Sequence, residues 1–153
     1  MWFAGLNGSR WQDTWQIGYT ESTDGYNWQI PTTQLVIPLG SESSWKAQAI
    51  TSPEVLLIDG TYHMWFAGRI DPNIDDWRIG HAISADGIDW IENLENPIFG
   101  LGAVDGFASA NVLSPSVTIS DEGYHLWYAA NQAGSPNTQI GYATSRDGVL
   151  WLR

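Results

Sequence analysis

The side chains best equipped for chemistry in this chain are flat rings and carboxylates gathered between apolar runs. Trp11, Trp15, Trp45, Trp77 and Phe107 stand in or beside such stretches. Rings so placed can stack on the apolar faces of sugars while Asp, Asn and Gln accept hydroxyl hydrogen bonds. Trp11 and Trp45 fall at irregular positions and are the better ligand candidates. Trp15 and Trp77 recur at equivalent places, which favours packing, yet Trp77 is also counted as ligand-binding, with Arg69 and Asp71 at the head of the same connection. Asp71-Pro72-Asn73-Ile74-Asp75-Asp76 sets oxygen atoms at alternate positions, a spacing that can wrap calcium. The glycine and distal glutamate of a full calcium loop are missing, and the matching stretches Asn7 to Asp13 and Asn131 to Asn137 do not repeat the acids. A solvated acidic loop is the plainer reading, and no cofactor other than calcium comes into question. His63 and His125 share one repeat position and His81 is matched by Tyr19 and Tyr142, so no zinc site is expected.

Composition narrows the partners. Seventeen acidic residues against six basic ones give a net charge of -11, which repels nucleic acid and anionic membrane surfaces. There is no apolar run of membrane-spanning length, and Met1 to Gly5 lacks the features of a signal peptide. With no cysteine, disulfides, thiolate metal sites and a cysteine nucleophile are excluded, while the compartment stays open. Ten tryptophans in 153 residues suit a β-core of large flat side chains, sugar platforms, or both.

The elements that must position these residues are written almost three times. MWFAG at Met1 returns at Met64 and as LWYAA at Leu126. IGYTESTDGYNW at Ile17 returns as IGHAISADGIDW at Ile79 and IGYATSRDGVLW at Ile140; SPEVLLIDGTYHMWFAG at Ser52 returns as SPSVTISDEGYHLWYAA at Ser114. One period of about 62 residues governs all three phrases, as in stacked supersecondary units. Within it four strands are expected: Pro53 to Ile58, Tyr62 to Ala67, Arg78 to Ser84 and Ile88 to Glu92, with tight Asp59-Gly60 and Asp86-Gly87 turns. The fold class is therefore all-β, built of propeller blades that are four-stranded antiparallel sheets. Blade boundaries fall at 1–51 (inner strand missing), 52–113 and 114–153. The other two connections are long and differ between repeats, so they share one face of the disc, where binding residues are expected. Two and a half to three blades do not close a ring. Closure is expected through self-association, a dimer first, or within a longer chain.

These phrases resemble the five-bladed propeller glycoside hydrolases, the superfamily of family 43 arabinan and xylan hydrolases, fructan hydrolases and mannoside phosphorylases. The resemblance rests on the Ser-Pro opening of the inner strand, the Gly-Tyr turn into MWFAG or LWYAA, and the I-G-x-A-x-S-x-D-G-x-x-W hairpin, and it covers almost the whole chain. Arg69-Ile70-Asp71-Pro72 matches the Arg-Asp-Pro word of fructan hydrolases only by coincidence, because an isoleucine intervenes and it follows strand two. In the resembled families the catalytic carboxylates stand beside the prolines that open inner strands, and glycoside hydrolysis needs two of them about 5 to 9.5 Å apart. Here Ser52 and Ser114 precede those prolines and cannot serve. The candidate catalytic residues are therefore Glu54, just past Pro53, and Asp105, brought toward one axis by oligomerisation. The expected function is a non-catalytic glycoside-hydrolase-like module that self-assembles and can bind carbohydrate. The alternatives are a glycosidase of plant or microbial polysaccharide, with its site formed at the oligomer axis or in a longer parent chain, and a scaffold with no small ligand.

Overall fold

Runs of β-branched and aromatic residues form ten strands in a computed structural model, which describes residues 1–7, 14–31, 35–71, 73–74 and 76–153. Trp11, Pro72 and Asp75 lie outside the described residues. Blade A contributes β1 (Trp2–Asn7) and β2 (Thr14–Tyr19). Blade B is β3 (Ala49–Ile58), β4 (Thr61–Arg69), β5 (Arg78–Ser84) and β6 (Trp90–Glu92). Blade C is β7 (Asn111–Ser120), β8 (Gly123–Asn131), β9 (Thr138–Ser145) and β10 (Trp151–Leu152). Each four-stranded sheet is antiparallel in chain order, β3-β4-β5-β6 and β7-β8-β9-β10, and β1 pairs with β2.

The inner strands start earlier than the prolines suggest, at Ala49 and Asn111 rather than at Pro53 and Pro115. Ser52 and Ser114 adopt left-handed backbone angles, φ 52° and 50°, and the register shifts between Thr51 and Glu54 and between Leu113 and Ser116. Proline lacks an N–H to give to the ladder, and a bulge is where a strand tolerates that loss, so the strand bends at proline and continues.

Asp59-Gly60 is the two-residue turn expected, with φ 49° and 81°. The hairpin around Asp86 is wider: Ser84 pairs with Trp90, leaving five residues between them. Asp86 organises that loop, its Oδ1 accepting from the N–H groups of Ile88 and Asp89, both at 2.9 Å. Asp24 and Asp147 repeat the pattern on Tyr26 and Asn27 and on Val149 and Leu150. These donors hold all three carboxyls below the usual carboxylate range.

After the wide hairpin the chain returns to its own blade. Ile37 bridges Ile17 and Phe99 bridges Ile79, so part of what reads as a long connection is a broken outer edge. Both returning residues are buried at blade junctions.

The core is two such junctions. Between A and B lie Ile17, Ile37, Ile50, Met64 and Phe66, and between B and C lie Trp65, Ile79, Val112, Val117, Leu126 and Tyr128. Alternation along β4 explains the division. Met64 and Phe66 face blade A, Trp65 faces blade C, and a strand buried on both sides reads as an unbroken apolar word. A tryptophan latch closes each junction: Trp2 Nε1 donates to Gly87 O of blade B at 2.7 Å, and Trp65 Nε1 to Gly148 O of blade C at 2.8 Å.

Candidate functional site at the long-loop rim

The last residues of β1, β4 and β8 and the entries to β3 and β7 all lie at one end of the blades, the end where Ala49 pairs with Arg69 and Asn111 with Asn131. At this rim the B–C junction holds Arg69, the last residue of β4. Its guanidinium lies over the Trp77 ring, 4.9 Å from the centroid, and the residue is 9% exposed. Trp77 is half-buried, and its carbonyl accepts the Val112 N–H at 2.9 Å, which ties the loop of blade B to the inner strand of blade C. Buried Asn111 precedes Val112. Sequence reasoning did not single out Asn111, although its signal was available: the repeat puts Ala49 there in blade B.

The other candidates are placed differently. Trp45 stacks on Phe66, centroids 5.8 Å apart, and fills the space over Gly68 and Gly80, so its ring forms part of the blade B packing. Phe107 does the same on Tyr128 in blade C, at 6.2 Å. Asp71 is engaged in its own loop: Oδ1 accepts from Asn73 N at 2.8 Å and Nδ2 at 3.0 Å. Among the described residues no three acidic, histidine or cysteine side chains converge in a way that could hold a metal ion.

Glu54 is half-buried, and its Oε1 accepts the Val117 N–H at 3.2 Å, just beyond the bulge of blade C. It spans the two inner strands and satisfies a backbone donor there. Asp105 is exposed, and its carbonyl accepts from Gln132 Nε2 at 3.5 Å. No hydrogen bond among the described residues links the two carboxylates.

Deeper in the B–C junction, His63 Nδ1 and His81 Nε2 are 3.2 Å apart beside Trp65. Burial, and then the neighbouring His63, lowers the His81 pKa to about 4, and burial lowers that of His63. In blade C the same two places hold His125 and Tyr142, hydrogen-bonded at 2.6 Å. These are packing positions of the repeat.

No family model matches the chain. Among curated proteins, it is 34% identical over 75 residues to a 1,2-β-oligomannan phosphorylase of Thermoanaerobacter sp. (strain X514), a match covering 49% of this chain and 24% of that protein. Among solved structures, BT0996 in an RGII complex superposes with a TM-score of 0.80 at 16% identity, over 100% of this chain and 52% of that one. A family 117 glycoside hydrolase of the marine bacterium Zobellia galactanivorans gives 0.77 at 17% identity, over 88% and 39%. The blades are those of the glycoside-hydrolase propeller fold. The chain thus spans about half or less of the length of the propeller proteins it matches, and its similarity to the solved ones lies in the fold.

Proposed function

We propose that the chain is a propeller module of glycoside hydrolase type that holds carbohydrate at the rim between blades B and C and is not itself catalytic. The observation that carries this reading is the pairing of Arg69 with Trp77: a charged donor fork and a half-buried aromatic ring at the loop end of a rigid junction. Sugar sites combine an apolar platform with a few fixed polar groups, and this pair has both. The non-catalytic part rests on the inner strands. Between them β3 and β7 carry one carboxylate, Glu54, and its hydrogen bond to Val117 gives it structural work. Glycan-array binding tests the reading. Wild type should retain a set of oligosaccharides that Trp77→Ala releases; binding to no glycan would overturn it.

A second reading, a glycosidase completed by further blades, is favoured by the match to a phosphorylase of which this chain covers 24%. Turnover of aryl glycosides that disappears in Glu54→Gln would replace the first reading with this one.

The proposal includes self-association as a dimer. Trp127, the third copy of the latch tryptophan, is exposed, and its indole N–H has no acceptor among the described residues. Gly87 O accepts both Trp2 and Trp90, whereas among the described residues the equivalent Gly25 O accepts only Trp28, at 3.1 Å. A second copy seating its Gly25 hairpin over Trp127 uses both free halves of the latch. Light scattering should give about twice 17.0 kDa, falling to 17.0 kDa in Trp127→Asp. A wild-type protein that stays at the single-copy mass excludes the dimer.

A further inference from the structure

We infer that the rim site recognises a carboxylate, so that its ligand is an acidic sugar, a uronide, with Arg69 as the residue that selects it. This rests on the carbohydrate reading above and gives that reading a substrate class.

Three observations converge on Arg69. First, among the described residues it is a buried cation without a counter-ion. Lys46 is paired with Glu92 at 3.0 Å and Arg78 with Asp76 at 2.9 Å, but no described carboxylate reaches Arg69, and its enclosed Nε has no acceptor. Asp71, two residues on, spends its Oδ1 on Asn73, and Asp76 gives its Oδ2 to Arg78, while its buried Oδ1 has no hydrogen-bond partner among the described residues and does not reach Arg69. A guanidinium keeps its charge when buried, and an unpaired buried charge is costly. The Trp77 ring compensates part of that cost through its π-face, but it accepts no N–H in the plane of the fork.

Second, Arg69 departs from the repeat. Aligning Met64 with Met1 and Leu126 puts Leu6 and Asn131 at its place, so the fold accepts an apolar or a neutral side chain there. The charge serves something other than blade packing.

Third, the chemistry of the fork selects the ligand. Guanidinium N–H donors match the two oxygens of a carboxylate in one plane, and such charge-assisted pairs are the strong hydrogen bonds. A sugar ring bearing a carboxylate offers that group to Arg69 and an apolar face to Trp77 together. A neutral hexose offers a hydroxymethyl group instead and leaves the cation unpaired. The net charge of -11 opposes a long polyanion, which points to a short uronide.

The test is titration calorimetry of the wild-type protein with methyl glucuronide, methyl galacturonide and methyl mannuronide, each against its neutral methyl hexoside. At least one uronide should bind about tenfold or more tighter than its neutral partner, as a charge-assisted pair requires. Arg69→Leu and Arg69→Asn install residues that the same fold carries in the other blades. Both should keep the melting temperature within a few degrees of wild type and abolish the preference. Equal affinity for acidic and neutral partners, or a preference that survives both substitutions, overturns the inference and leaves the carbohydrate reading standing. Binding of no glycoside in either series overturns both.

Discussion

Blades B and C present equivalent side chains to the next position in the ring, and those side chains meet opposite environments. Trp65, Ile79 and His81 of blade B are 0%, 0% and 4% exposed, because β7 of blade C lies across β3, β4 and β5. Trp127, Ile140 and Tyr142, their counterparts in blade C, are 40%, 72% and 47% exposed. Even the His-Trp stack is kept, at 6.0 Å in blade B and 6.2 Å in blade C. Residue type marks a position as belonging to a blade junction, and the neighbouring blade supplies the burial energy. The two faces are therefore a control for one another.

The largest contrast should come from the tryptophans. Trp65→Ala removes a fully buried ring and its bond to Gly148, and should cost about 3–5 kcal/mol in urea unfolding. Trp127→Ala, made at concentrations where the protein is a single copy, should cost less than about 1 kcal/mol. Equal costs would break the comparison.

The histidine of the sealed junction gives the next effect. With its folded pKa near 4 and an ordinary value of 6.5, His81 stays neutral in the folded protein where the unfolded state takes up a proton. Its contribution is full above about pH 6.5 and is lost as the pH falls toward 4, by up to about 3 kcal/mol. His81→Tyr, which installs the residue blade C uses, should flatten the stability profile in that window and leave the shallower slope due to His63. An unchanged slope would show that the junction does not exclude water from this ring.

Glycines sharpen the comparison at a smaller scale. A methyl at Gly80 meets the Trp45 ring at 2.7 Å and Phe66 at 3.0 Å, so Gly80→Ala should cost about 1–3 kcal/mol. Gly100 has nothing within 4 Å of an added methyl, and Gly100→Ala should stay within about 0.5 kcal/mol of wild type. A modest effect is expected of Asp86→Ala, which removes the acceptor for two loop N–H groups. It should lower the melting temperature, and Asp24→Ala less so, because among the described residues no blade packs against the blade A hairpin.

Much of this fold is readable from spacing. The period of about 62 residues, the strand words and the Asp-Gly hairpins identify blades because each phrase serves the same local geometry every time. What spacing misses are features fixed by contacts between distant segments. Ser52 and Ser114 carry no mark of positive φ in their identity, so the prolines read as strand starts when they are bulges. Ile37 and Phe99 lie in stretches of loop composition and are strand-edge residues only because Ile17 and Ile79 await them. Trp45 looked irregular, yet it stands one period before Phe107 and fills the same slot over an aromatic ring. At the site, Arg69 and Trp77 were legible as candidates. Their meeting, with Val112 holding the loop against the next blade, depends on two blades at once and has no local signature.

The most direct test of the blade-junction account is hydrogen exchange at the indole nitrogens, followed by NMR on dilute single-copy protein. The Trp2 and Trp65 Nε1–H groups, bonded to Gly87 and Gly148 of the adjacent blades, should exchange only through large-scale opening, whereas that of Trp127 should exchange rapidly. Rapid exchange at Trp65, or protection at Trp127 equal to it, would contradict the arrangement of blades described above.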